Sequence, residues 1–205
     1  MGKHSASKEK SNFGKIIKFI LFLIIIAAII LGIVYIRNLK KDKIQVTQNV
    51  NSLFESLKEL NKEQIEKYVN YKMIVSGLDE MIINEDNENS ELQKELFKDI
   101  SWSIESVNIN GKEAVAIVEM TNKNFKNILT KWMKEIVKEK TEDNEISEKV
   151  ALEKLKEVLK DETVRKTIIK KIKLEKNEDE WKIEVNDDLI DLIFPGIESV
   201  AEFLN

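Results

Sequence analysis

Cysteine is absent from the 205 residues, and histidine occurs once, at His4 in a polar N-terminal stretch. Those two absences exclude a thiol nucleophile, a disulfide framework, a Cys/His zinc site and a histidine-based triad. No glycine-rich phosphate loop or HExxH pair is present either, so no cofactor, no metal and no catalytic residue is expected. Arginine is scarce: Arg37 and Arg165 are the only two. An acidic chain short of forked guanidinium donors repels phosphate, which argues against nucleic acid as a partner. The bias toward Lys, Ile, Asn and Glu is that of an AT-rich bacterial genome.

Charge divides the chain. Residues 1–43 carry nine basic and two acidic groups, a net of +7, so residues 44–205 carry −11 of the total −4. Between the halves lies the strongest signal, the 18 uncharged residues Phe19–Ile36, of which fourteen are Ile, Leu, Phe or Val. At 1.5 Å per residue the run is about 27 Å long, and adding Ile16 and Ile17 reaches the roughly 30 Å of a bilayer core. Insertion is favoured by roughly 4–8 kcal/mol summed over the apolar residues. A cleaved signal peptide fits less well, because the run is too long and Tyr35-Ile36-Arg37-Asn38 lacks a small-residue cleavage site. No Cys follows to carry a lipid.

The expected organisation is a disordered basic tail at 1–15, a transmembrane signal-anchor at 16–36, a basic juxtamembrane segment at 37–43 and an α+β domain at 44–205. Basic flanks are nearly balanced, but the N-terminal tail is short, where charge counts most. The expected topology is therefore single-pass, with a cytoplasmic N-terminus and an extracytoplasmic domain. The lipid bilayer is the first partner.

Within the domain, Val50, Leu53, Phe54, Leu57 and Leu60 recur at helical spacing, predicting a helix over about 43–60. Asn61 with Gln64 resembles a capping box that opens a second helix carrying Ile65, Tyr68 and Val69. Residues 84–91 read as an acidic loop, and Leu92, Leu96 and Phe97 as a short helix. Ile100, Trp102 and Ile104 alternate, and Val107 and Ile109 then alternate in the opposite phase, which predicts a bulge near Glu105-Ser106. Asn110-Gly111 is a hairpin signal, and Ala114–Met120 supplies the return strand. Two helices follow over 124–160, then strands near 164–175 and 181–185. A last helical stretch is interrupted at Pro195-Gly196.

This order resembles the nuclear-transport-factor-two-like superfamily, also called cystatin-like, and within it uncharacterised membrane-anchored members and lipoproteins of low-GC Gram-positive bacteria. The segment SLFESLKELNKEQIEKYVN is similar to its opening helices, FKDISWSIESVNINGKEAVAIVEMTN to its first long hairpin, and Glu180-Trp181-Lys182-Ile183 to its closing strand. The resemblance implies a cone, with N-terminal helices packed on a bent antiparallel sheet and 124–160 as a helical insertion. It also implies kinship in plan with inner-membrane assembly subunits of conjugative type IV secretion machines.

Three functions follow as expectations. The first is a non-catalytic binding or assembly module of the cell envelope, meeting a second copy or another envelope protein. Its candidate interaction face is Val115, Ile117 and Glu119 on a strand apolar on both sides, with Trp132 on a neighbouring helix. Either the inserted helix or a partner covers that face. The alternative is small-ligand binding or acid/base catalysis in an apolar cone pocket, with Glu119 as the acid or base and Tyr68 and Tyr71 as proton donors. The third is calcium binding by Glu85, Asp86, Glu88 and Glu91, although that loop lacks the spacing and glycine of a known calcium loop.

Overall fold

The computed structural model describes residues 7–69, 87–139 and 146–198, which form two compact units, Met1–Asp42 and Lys43–Asn205. One helix, α1 (Ser7–Lys58), runs through the first unit and supplies the opening helix of the second. Residues 7–15, expected to be a disordered tail, are therefore helical, and the juxtamembrane segment 37–43 is helical as well. The polar, lysine-rich stretch after Ile36 interrupts hydropathy but not the backbone, since Lys, Arg and Leu are good helix formers.

In the first unit every large apolar side chain from Ile20 to Ile36 is exposed, from 37% at Ile26 to 69% at Leu31. The most apolar 18-residue window has mean hydropathy 2.9 and is not buried at all; among the described residues this is the one helix long and apolar enough to cross a membrane. Each such side chain gains about 1.5–3 kcal/mol on leaving water, so a run of them left bare in water is strongly unfavourable.

The second unit is an α+β domain. After α1 come α2 (Lys62–Tyr68), α3 (Asn87–Phe97), β1 (Ser101–Asn110), β2 (Glu113–Lys123), α4 (Phe125–Glu139), α5 (Glu148–Leu159), a 3-10 turn at Glu162–Val164, β3 (Arg165–Asn177), β4 (Glu180–Ile183) and α6 (Asp187–Ile193). Asn61 caps α2 by accepting from the Gln64 amide at 3.1 Å, as its sequence suggests. The acidic stretch 84–91 is not a loop throughout: α3 begins at Asn87, and 84–86 lie outside the described residues.

The four strands form one antiparallel meander in the order β1-β2-β3-β4. Gly111, at φ +62°, turns β1 into β2, a left-handed conformation that glycine adopts at least cost. The predicted bulge is present: register shifts between Ile104, opposite Val118, and Ser106, opposite Ile117. Glu105 is the extra residue, and it brings Trp102, Ile104, Val107 and Ile109 onto one side despite their change of phase.

That side is the core. Ala114, Ala116, Val118 and Met120 of β2 and Ile172 and Leu174 of β3 are buried with Trp181 and Ile183 of β4. Over them lie Val46, Val50, Leu53, Phe54 and Leu57 of α1, Ile65 of α2, Leu92, Leu96 and Phe97 of α3, and Leu189, Leu192 and Ile193 of α6. The Phe54 and Trp102 rings meet at 5.5 Å, and Phe194 takes Phe97 and Phe125 edge-on at 5.8 and 5.6 Å. The helix also ties itself to the sheet by hydrogen bonds. Asn49 donates to the Trp181 carbonyl at 2.6 Å, and the Trp102 indole donates to Asn51 at 2.9 Å.

The inserted helices pack on each other and on the 3-10 turn. Asn124 caps α4 through the Asn127 amide at 3.0 Å, and the Phe125 amide donates to the Pro195 carbonyl at 2.7 Å. The Pro195-Gly196 break predicted in the last helix is thus where α4 is anchored. A Cβ on Gly196 would sit 3.0 Å from the Asn124 side chain, and its φ of +80° independently favours glycine.

Candidate interaction surfaces

Antiparallel partners share a face, so the register defines what lies opposite the core. Val115 pairs with Asn108 and Lys173, Ile117 with Ser106 and Lys171, and Glu119 with Ser103 and Ile169. On the flanking strands Ser103, Asn108, Ile169, Lys171 and Lys173 are all exposed. Val115, Ile117 and Glu119 are half-buried, being flanked on both sides by strands. The outer face is therefore open among the described residues, and the inserted helices do not cover it. A patch of Val115, Ile117 and Ile169 runs across its middle, the last 54% exposed. Serines border the patch on β1 and lysines on β3. At one end Thr121 and Thr167 share a hydrogen bond of 2.7 Å.

Three of the four predicted face residues are brought together here, and Trp132 is not. Its indole donates to the Ala151 carbonyl at 2.8 Å, so it faces α5 rather than the sheet. Trp132, Met133, Ile136, Val137, Ile146 and Ala151 instead line an apolar groove of about 280 Å³. A helical wheel puts these apolar residues on one arc but cannot say which lean toward the sheet and which toward a second helix nineteen residues on.

Glu119 also differs from its expected setting. It lies on the open face, between a serine and an isoleucine, and not on the side covered by helices. Of the proposed proton donors, Tyr68 packs against the core and Tyr71 lies outside the described residues. In the acidic stretch, Glu85, Asp86 and the side chain of Glu88 lie outside the described residues, and Glu91 pairs with Lys156 at 3.2 Å. Among the described residues no three His, Asp or Glu side chains converge as a metal site would require.

Two lysines depart from the alternation. Lys123 follows Thr121 in the outward phase, yet it is buried where β2 meets the end of α3. Its ammonium donates to the Glu95 carbonyl and lies 3.3 Å from Asp99, while Arg165 donates to the Asp99 carbonyl at 2.8 Å. Both cations thus satisfy carbonyls at a helix C-terminus, where positive charge is favoured. Burial nonetheless pulls the Lys123 pKa below the usual lysine value, against the opposing pull of Asp99. Lys170 is on the inward side, and its hydrogen bonds and charge pairing with Asp191 (3.0 Å) and Asp188 (3.3 Å) raise its pKa.

Neither the buried Lys123 nor the outward Ile169 stands out by composition. The doublet Ile168-Ile169 is the available clue to the second, because an alternating strand cannot turn both inward.

No protein-family model matches the chain, and no curated protein matches it. Among solved structures, a "putative lipoprotein (ycdA)" from Bacillus subtilis subsp. subtilis str. 168 is similar at a TM-score of 0.36 and 17% identity. The match covers 58% of this chain and 42% of that one, so it spans less than half of the Bacillus protein.

Proposed function

We propose that the protein is a single-pass membrane-anchored module of the bacterial cell envelope, non-catalytic, whose extracytoplasmic domain binds or assembles another protein. The anchor reading draws on the bare apolar length of α1, which a bilayer would solvate at no cost to the rest of the chain. The observation that carries the binding role is the open outer face of the sheet. Val115, Ile117 and Ile169 form an apolar patch on a rigid platform, ringed by hydroxyls and lysine stems, the pattern of an apolar centre with a polar rim. Glu119 in this arrangement orients a partner at the edge of the patch.

The domain is read as a member of the nuclear-transport-factor-two-like superfamily. Helices preceding and following the meander pack on one side of it, and the long β1–β2 hairpin carries a bulge at Glu105. The cytoplasmic N-terminus remains part of the proposal.

Proteinase treatment of intact cells producing the full chain with a C-terminal tag tests the topology. Loss of the tag from outside is the expected result; protection until lysis would place the acidic domain in the cytoplasm and remove the envelope role. For the binding face, Ile117→Glu is expected to abolish recovery of crosslinked partners while leaving the far-ultraviolet circular dichroism unchanged. Undiminished crosslinking would clear the outer face of that role.

A further inference from the structure

The Lys123 side chain is only 3% exposed, and its Nζ lies 3.3 Å from Oδ2 of Asp99 while donating to the Glu95 carbonyl. The pair is held from a second side. Lys123 of β2 is paired in register with Arg165 of β3, whose guanidinium donates to the Asp99 carbonyl at 2.8 Å. Two adjacent strands therefore grip the turn that carries Asp99. The Nε of the same guanidinium is buried and has no hydrogen-bond partner among the described residues. It is a donor free to meet an oxyanion formed by attack on the Asp99 carboxyl.

An amine and a carboxyl held in contact are one water molecule away from an amide. In a lysine–aspartate pair at ordinary pKa values the doubly neutral, reactive form is about one part in a few million. Groups fixed in contact react as though at effective molarities on the order of 10⁵–10⁸ M, which offsets so small a population. Burial enlarges that population, because it disfavours the charged ammonium of Lys123. The Asp99 side chain is 46% exposed, so a departing water has a direct way out.

We propose that Lys123 and Asp99 close spontaneously into an isopeptide bond that staples β2 to the turn between α3 and β1. The neutral Nζ attacks Cγ of the protonated Asp99 carboxyl. A C–N bond forms, the C–O bond to the hydroxyl breaks, and one amine proton joins the departing hydroxyl as water. Nothing is oxidised or reduced, and no activating group is consumed. The bond closes a loop around the whole β1–β2 hairpin, a constraint that this cysteine-free chain has no disulfide to supply. Before closure Lys123 remains a titrating amine, and its response to pH belongs to the unclosed chain.

The test is to weigh the full-length chain. Protein purified in detergent and aged at neutral pH is denatured, and its intact mass is compared with that of the sequence. A deficit of about 18 Da, one water, is expected to grow with age. Trypsin then fails to cut after Lys123, and residues 99–112 stay joined to 113–126 as a branched pair. Asp99→Ala and Lys123→Arg are expected to keep the full mass. Asp99→Asn is expected to close too, losing ammonia (about 17 Da) and giving the same branched pair as the parent chain. An aged parent chain at full mass, with circular dichroism showing it folded, overturns the proposal. So does a deficit that maps to another bond or persists in Asp99→Ala. Should Lys123→Arg fail to fold, Asp99→Ala, which alters a half-exposed side chain, decides alone.

Discussion

The two faces of β2 are built from nearly the same residue types and end in different environments. Ala114, Ala116, Val118 and Met120 are sealed beneath α1, α3 and α6, while Val115 and Ile117, one residue away along the same strand, look outward across an open sheet. Hydrophobicity alone cannot separate them, since Ile117 is as apolar as Val118. What separates them is which side the bulge at Glu105 presents to the helices, and that is a property of pairing. The outer residues are half-buried where the inner ones are fully buried, and their cover comes from neighbouring strands rather than from a second layer. An apolar residue held in this way remains available for a partner.

The largest difference is expected from placing the same charge on either side. Val118 is fully buried opposite Lys170, whose ammonium is already held by Asp188 and Asp191, so Val118→Glu puts a carboxylate among Ala116, Met120 and Ile172 without a cation of its own. Removing an unpaired charge from water costs several kcal/mol, a large part of the about 5–15 kcal/mol by which a domain is stable. Loss of cooperative unfolding and of near-ultraviolet circular dichroism is the expected outcome. A native-like spectrum would mean that the inner face is not the core.

Trp181 probes the same face by subtraction. It is 1% exposed on the short edge strand β4, and its carbonyl holds Asn49 of α1. Trp181→Ala is expected to cost about 3–5 kcal/mol, read as a fall in denaturant midpoint at unchanged slope. A loss under about 1 kcal/mol would show that the α1 helix seals the sheet without it.

Much of this layout was legible before the structure, for a specific reason. The Asn110-Gly111 turn, the phase change across Glu105, the Asn61 cap and the apolar return strand Ala114–Met120 are all local, each encoded within a few residues. Features requiring distant segments were not legible. Lys123 is buried because the end of α3 is delivered to it from 24 residues upstream, and Trp132 turns toward α5 because of Ala151. The unbroken α1 failed for another reason: hydropathy marks an edge at Arg37, and an edge in hydropathy is not an end of a helix. Openness of the outer face was undetermined too, because covering it depended on where the inserted helices lean.

The two lysines that violate the in-out pattern predict opposite responses to alkaline pH. Lys170 has a raised pKa in the folded protein, so its contribution is fully present below the ordinary lysine value of 10.5 and is lost as pH rises through the folded value. Lys123 has a lowered one. Between that value and 10.5 the unfolded chain binds more protons, so stability from this site rises with pH across the window. Denaturant midpoints measured at steps from about pH 8 to 11 should therefore lose part of their alkaline fall in Lys170→Met and fall more steeply in Lys123→Met. The same change of slope in both variants would contradict the opposite environments drawn here.

The smallest stability effect, and the most informative one, is expected at Ile117. Ile117→Glu places its carboxylate between Ser106 and Lys171 on the open face, where water reaches it and a lysine lies on the neighbouring strand. Lost apolar contact with the flanking strands and lower strand propensity oppose that attraction, so the net change is expected to stay within about 1 kcal/mol. Set beside Val118→Glu, this is one substitution moved by one residue, with the fold expected to fail in the first case and persist in the second. A cost at Ile117 approaching that at Val118 would mean that a second layer covers the outer face in solution, making the patch core rather than a docking surface. A small cost accompanied by loss of crosslinked partners is what an interaction face requires, because only a partner would then notice the change.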